Sequence, residues 1–137
     1  MPLAESTGEI LLKATSVRHV PLDGGHVRIE VDFSGEAKGD VPGHHIGTLV
    51  SFPLDPALPY AWSYFGTTLA HSGSLIRIIG EGSAVRTGDG HKIRFRGAVR
   101  YQTTDPKLAE FNHTIGAVET EADPTTMTLK GAGCVWK

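Results

Sequence analysis

In this chain of 137 residues, the side chains best suited to catalysis or ligand binding are charged groups on two neighbouring runs of β-prone sequence. Arg77 and Glu81 lie on the first run, and Arg96 and Arg100 lie on the second. A guanidinium binds a carboxylate through two parallel hydrogen bonds, and a glutamate beside it acts as a base or a counter-charge. If this face lines a pocket, we expect Arg77, Arg96 and Arg100 to bind substrate and Glu81 to be catalytic.

The alternative for the same four residues is a solvated outer face. Charged groups are almost never fully buried unless they are paired, and exposed ion pairs contribute well under ~1 kcal/mol each. The opposite face of both runs is apolar and rich in glycine, which is typical of a face that packs on a core. The sequence alone leaves both interpretations open.

His44 and His45 are the candidates for acid–base catalysis, because the pKa of an imidazole lies near neutrality. Adjacent side chains on a strand point to opposite faces, so only one of the two can face a pocket, and the pair cannot chelate one metal in simple strand geometry. The other histidines show no spacing typical of metal ligands. We therefore predict no metal site and name both histidines as catalytic candidates.

Tyr60, Trp62 and Tyr64 form an aromatic stripe on one face of a third run. In a barrel this stripe can be a pocket wall, in which Trp62 stacks on a planar ligand and the Tyr64 hydroxyl acts as a hydrogen-bond donor and catalytic group. Core packing or a contact between subunits explains the same pattern, because aromatic residues are common in both.

The element that positions the charged residues is a predicted β-hairpin over residues 73–101. Asp89-Gly90 between alternating runs is a preferred centre for a tight turn, because both central positions of a type I′ turn need a positive φ. With this turn, Thr87 lies opposite Lys92 and the charged side chains share one face. The other face carries Ile76, Ile78, Gly80, Gly82 and Ala84 opposite Phe95, Gly97, Val99 and Tyr101.

Most of the remaining chain also carries strand signals. These predict further strands over residues 9–20, 26–34, 46–52, 60–69, 114–121 and 126–136, with residues 35–43 as a loop or a bulged strand end. Asp105-Pro106 begins the one predicted helix, since Asp caps a helix and Pro suits its first position, and Asn112 ends it.

Short strands, one short helix and 17 glycines predict an all-β fold, either a closed barrel or a sandwich. We predict a single antiparallel β-barrel domain over residues 1–137. Gly80, Gly82 and Gly97 permit the sharp coiling that a small closed sheet needs.

The composition narrows the partners and the location. Charged residues make up 20% of the chain and the formal net charge is −2, so we expect no nucleic-acid partner. No apolar run is long enough to span a bilayer, so we expect no membrane partner. The sequence shows no secretory signal and its single cysteine cannot form an internal disulfide, so we expect a cytoplasmic protein.

The segment Arg86 to Gly97 resembles the hairpin of a family of small bacterial barrels known as domain of unknown function 3237. The stretch Arg100 to Pro106, with Phe111-Asn112, is similar to the segment that follows in that family. The resemblance covers roughly the C-terminal half and implies a calycin-like barrel. It implies no activity, because architectural relatives such as allene oxide cyclases and lipocalins include both cofactor-free enzymes and binding proteins.

Nucleotide-binding loops and the nucleophile elbow of hydrolases are absent from the sequence, so an enzyme here would need no cofactor. We predict a cofactor-free isomerase, cyclase or lyase that acts on a small organic molecule, for instance a carboxylate, in the barrel lumen. The alternatives are a small-molecule binding protein without turnover and an interaction module whose aromatic stripe is buried between identical subunits. We also expect a homo-oligomer.

Overall fold

Residues 6–53, 59–87 and 92–135 are described by a computed structural model, and they form eight strands that close into one antiparallel barrel. Each strand pairs with the next along the chain, and the last pairs with the first, so the predicted all-β barrel is confirmed. The strands are β1 Ser6–Pro21, β2 Val27–Gly39, β3 Gly43–Ser51, β4 Tyr60–Ala70, β5 Leu75–Thr87, β6 Lys92–Gln102, β7 Ile115–Asp123 and β8 Thr128–Val135.

The predicted hairpin is confirmed as β5 and β6. Thr87 pairs with Lys92, and the two faces follow the predicted register, whereas the predicted turn at 88–91 lies outside the described residues. Gly82 pairs with Gly97, and a Cβ on Gly82 would lie 2.0 Å from the carbonyl oxygen of Arg96. The two backbones therefore approach too closely at this point to admit a side chain.

The segment 35–43, predicted as a loop or a bulged strand end, is mostly regular strand. β2 continues to Gly39, and Gly35 pairs with Leu12 on one side and His45 on the other. Glycines reduce the strand signal of a segment without removing its backbone hydrogen bonds, which explains the difference. β3 begins at Gly43, so both adjacent histidines lie within a paired strand.

One half of the barrel interior is filled by side chains. Leu12, Phe33, Leu49 and Phe95 are buried there around the indole of Trp62, with Ala84 and Leu129 completing the cluster. The Trp62 and Phe95 rings meet edge to face, 6.1 Å between centroids. A buried Phe or Trp removes a large apolar area from water, so this filled half stabilises the fold. With this half packed, the other half can be hollow.

A short 3₁₀ helix, Pro106–His113, lies beside the end of β6. Its start agrees with the prediction, since the Asp105 carboxylate accepts a hydrogen bond from the Lys107 backbone N–H at 2.9 Å. The helix ends one residue after Asn112. The Asn112 side chain accepts a hydrogen bond from the Thr103 backbone N–H at 2.8 Å and donates one to the Thr103 carbonyl oxygen at 3.0 Å. Across the described parts of the chain, no helical segment combines the length and apolar character needed to span a bilayer.

Candidate functional site

The hollow half of the barrel contains a cavity of about 150 Å³. It lies toward the end at which β3 and β5 begin and β4 and β6 finish. Its wall is mainly aliphatic and aromatic, with side chains from strands all around the barrel: Ile10, Leu49, Trp62, Ile76, Ile78, Phe95, Val99, Tyr101, Val118 and Leu129, together with Phe111 of the 3₁₀ helix.

A chain of three polar side chains forms the polar part of this wall. His45 Nδ1 lies 2.8 Å from the Thr68 hydroxyl oxygen, and His45 Nε2 lies 2.6 Å from the Tyr64 hydroxyl oxygen. The His45 and Tyr64 rings are nearly parallel, with an interplanar angle of 13° and 5.8 Å between centroids. His45 is 1% exposed, and both of its ring nitrogens have protein partners inside the barrel.

Two paired glycines make room for these rings. Gly47 on β3 pairs with Gly66 on β4. A Cβ on Gly47 would lie 2.0 Å from the Tyr64 hydroxyl oxygen, and a Cβ on Gly66 would lie 2.7 Å from His45 Nε2. The Tyr64 ring thus lies over Gly47 of β3, and the His45 ring lies over Gly66 of β4. The contact between the rings therefore depends on the pattern His-x-Gly on β3 and Tyr-x-Gly on β4.

Burial keeps both rings uncharged at neutral pH. It lowers the pKa of His45, because a buried imidazolium lacks hydration, and together with a smaller contribution from the neighbouring His44 it brings this pKa to about 4. Burial also raises the pKa of the Tyr64 hydroxyl above its ordinary value. A neutral imidazole has one donor and one acceptor nitrogen, so the chain can carry its hydrogen bonds in either direction.

Trp62 contributes its ring to the wall but not its N–H group. The indole Nε1 donates to the carbonyl oxygens of Ser83 at 2.9 Å and Arg96 at 3.3 Å. Tyr60, the first member of the aromatic stripe, packs against the filled core. The stripe therefore faces the barrel interior.

The mouth of the cavity is bordered by the 3₁₀ helix and the rim of β1 and β2. Phe111 meets Tyr101 edge to face, with 5.4 Å between centroids, and both rings line the cavity. Glu9 and Lys38 also border it, on exposed positions that pair with each other in the β1–β2 register. A ligand would enter past aromatic side chains and a rim that carries both signs of charge.

Of the two interpretations of the arginine face, the structure agrees with the solvated outer face and not with the lumen. Arg77, Glu81, Arg96 and Arg100 all lie on exposed positions of the outer surface, opposite in side-chain direction to the cavity-lining residues of β5 and β6. Arg96 Nε instead donates to Glu119 on β7 at 2.9 Å. Hydration stabilises these charges outside, whereas the glycine-spaced apolar face packs inward.

The two adjacent histidines separate as the strand geometry requires. His45 faces the lumen, and His44 is exposed, 3.2 Å from the Ser34 hydroxyl oxygen and 3.6 Å from a Glu36 carboxylate oxygen. His44 therefore does not face the lumen, which corrects its place among the candidates for catalysis inside the barrel. Of the eight predicted site residues, the structure brings together His45, Tyr64 and Trp62 at the cavity, and whether these act on a ligand stays a prediction.

Thr68, Tyr101 and Phe111 also line the cavity, and the sequence analysis missed them as site residues. Thr68 lies on the same face of β4 as Tyr64 and directly opposite His45, so the β3–β4 register would have identified it. Within the described ranges, no three His, Cys, Asp or Glu side chains come together as metal ligands would.

Solved structures share this barrel. A protein of unknown function from Clostridium acetobutylicum superposes with a TM-score of 0.78 at 16% identity, over 96% of this chain and 97% of that one. A β-barrel-like protein from Acinetobacter baumannii gives 0.83 at 13% identity, over 99% and 96%. A conserved protein of unknown function from Rhodopseudomonas palustris gives 0.72 at 16% identity, over 98% and 99%.

At these identities the likeness establishes the fold, a small eight-stranded barrel, and nothing finer. No protein-family model and no curated protein sequence matches the chain.

Proposed function

We propose that this protein binds a small organic molecule inside the barrel, in contact with Tyr64 and His45. The observation that carries the proposal is the cavity of about 150 Å³, whose largely apolar wall contains a connected pair of neutral polar rings. Ligand sites are typically concave and apolar, with a few polar groups that orient the ligand. Leu49, Trp62 and Phe95 belong both to this wall and to the packed core, and a wall preformed in this way reduces the entropic cost of binding.

Neighbouring residues of β5 offer a matched test. Ile78 lines the cavity, whereas the next residue on the same strand, Ile79, points to the outside of the barrel. We expect Ile78→Phe to fill part of the cavity and weaken binding of a one-ring probe such as toluene at least about tenfold, while Ile79→Phe retains it. The measurement is a protein-observed NMR titration. Equal binding by both variants would place the probe elsewhere and contradict the proposal.

A second candidate is a cofactor-free enzyme that transfers protons, as an isomerase, cyclase or lyase does. The continuous hydrogen-bonded chain from Thr68 through His45 to Tyr64 favours it, because such a chain can pass a proton to or from a bound carbonyl compound. We rank it second, since the pKa of His45 lies well below neutrality and that of Tyr64 well above, whereas efficient acid–base groups titrate near the working pH.

Deuterium exchange distinguishes the two candidates. A proton-transferring barrel would accelerate uptake of deuterium from D₂O into the methyl group of acetophenone, and Tyr64→Phe would abolish the acceleration. A barrel that binds acetophenone without accelerating its exchange is a binding protein for this compound.

Two local features of the described chain agree with its resemblance to domain of unknown function 3237. The β5–β6 register agrees with the hairpin resemblance, and Asp105 caps the 3₁₀ helix in the Asp-Pro segment that the family shares. We propose on these grounds that the chain belongs with the barrels of domain of unknown function 3237. Sequences of intermediate similarity that link the two would support this.

A further inference from the structure

Charge is distributed unequally across the barrel wall. Among the described residues that line the cavity, the ones with a charged side chain are Glu9 and Lys38, and both are exposed at the rim. The cations of β5 and β6 lie on the outer surface. A carboxylate placed beside His45 and Tyr64 would therefore lose its hydration without gaining a counter-ion, which is costly.

The polar pair can accept either kind of neutral hydrogen-bonding group. If the Tyr64 hydroxyl donates to His45 Nε2, its oxygen can still accept a hydrogen bond from a ligand hydroxyl. If His45 Nε2–H donates to Tyr64 instead, the phenolic proton is available to a ligand carbonyl. Thr68 accommodates both arrangements, because its hydroxyl can donate to or accept from Nδ1.

The cavity volume limits the part of a ligand that lies inside the barrel to about the size of a single ring. A cavity of about 150 Å³ lined by aliphatic and aromatic side chains holds benzene in another protein, and the volume here is the same. The aromatic wall, with Trp62 and Phe95 below and Tyr101 and Phe111 at the mouth, suits a flat molecule.

We infer that the lumen selects an uncharged molecule of about one ring with a single hydroxyl or carbonyl group, and discriminates against the carboxylate of the same size. This rests on the proposed binding function and names its ligand class. It also reverses the expectation of a carboxylate ligand, because the arginines that would bind one lie on the other side of the wall.

The test compares four one-ring probes by NMR titration at pH 7: toluene, acetophenone, benzyl alcohol and benzoate. We expect acetophenone and benzyl alcohol to bind at least about tenfold more tightly than benzoate, which has nearly the same size and shape as acetophenone. In Tyr64→Phe, acetophenone should lose about three- to tenfold of its advantage over toluene, because one net hydrogen bond is removed.

Arg96→Gln and Arg77→Gln serve as matched controls on the outer face and should leave all four affinities unchanged. Benzoate binding as tight as that of acetophenone would overturn the inference while leaving the binding function intact. If Lys38→Gln then abolished the benzoate affinity, the charge selection would belong to the rim. Failure of every probe to bind, toluene included, would overturn the binding function itself.

Discussion

The contact between His45 and Tyr64 places two hydrogen-bonding rings in a cavity whose described lining residues carry formal charges only at the rim, on Glu9 and Lys38. Each ring nitrogen of His45 has a protein partner, at 2.6 and 2.8 Å, so neutrality costs the imidazole no hydrogen bond. Protonation would place a positive charge on a buried ring, away from the water that would hydrate it. Acid should therefore act on the stability of the whole protein through this residue.

We expect the free energy of unfolding to fall as the pH drops from about 6.5 toward 4. The pKa of His45 is about 4 in the folded protein, against an ordinary 6.5, so the unfolded chain binds the extra proton over this range. The difference corresponds to roughly 3 kcal/mol, fully present above pH 6.5 and lost below pH 4. Urea unfolding at several pH values measures it.

His45→Gln should flatten this pH dependence, and the exposed His71→Gln should not. The paired carboxylates of Asp32 and Asp105, whose pKa values are lowered by hydrogen bonds from Ser16 and Ser74 respectively, contribute only below their ordinary range near 4. An NMR titration of the His45 ring in the intact protein gives its pKa directly, and a value near 6.5 would contradict the prediction.

The glycines under the two rings yield a second prediction at this scale. Gly47→Ala should destabilise the protein by about 1–3 kcal/mol, because the new methyl group overlaps the Tyr64 hydroxyl. In a Tyr64→Leu background the ring is gone and the same substitution should cost much less. A double-mutant cycle by urea unfolding measures the coupling, and additive effects would show that the two residues do not compete for this space.

At the scale of elements, the alternation of residues predicted the strands, and the Asp-Gly turn predicted the β5–β6 register correctly. The polar chain was only half predicted, because His45 and Tyr64 carry signals of their own whereas Thr68 acquires its role from the β3–β4 register. That register is determined across a connection of unpredictable length around three prolines. The 3₁₀ helix was found from its cap, but its position over the cavity depends on Phe111 meeting Tyr101, a tertiary contact.

The helix that borders the mouth should open independently of the barrel. Asn112→Ala removes both side-chain hydrogen bonds to Thr103, so we expect faster amide exchange over residues 106–113 with a loss of global stability of about 1–3 kcal/mol at most. Lys107→Ala, an exposed change on the same helix, is the control. Hydrogen-exchange NMR measures both, and unchanged exchange in Asn112→Ala would show that Asn112 does not hold the helix in place.

At the scale of the whole molecule, the barrel divides its interior between stability and a cavity. Side chains packed around Trp62 fill one part of the described interior, while a cavity of about 150 Å³ lies beside His45 and Tyr64. The apolar pattern predicted which faces point inward, yet it could not predict where the interior is left unfilled, because a cavity depends on side-chain sizes from all strands together. The expected homo-oligomer stays a prediction, which light scattering would check.

Adjacent leucines on β1 test how the filled half stabilises the barrel. Leu12 is 1% exposed and Leu11 is 61% exposed. We expect Leu12→Ala to cost about 2–5 kcal/mol of unfolding free energy, because it leaves a void in the core, and Leu11→Ala to change it by under about 0.5 kcal/mol. Chemical denaturation measures both, and equal effects would place Leu12 outside the cooperative core.

The pairing of β8 with β1 has a consequence for synthesis on the ribosome. Gly8 pairs with Gly133, so the first strand of the barrel to be synthesised waits for the last before its free edge is covered. Until then a growing sheet exposes an unpaired strand at each side, which invites association with other nascent chains. The closed lumen exists only after this pairing, so a ligand can bind in it only once β8 has joined β1.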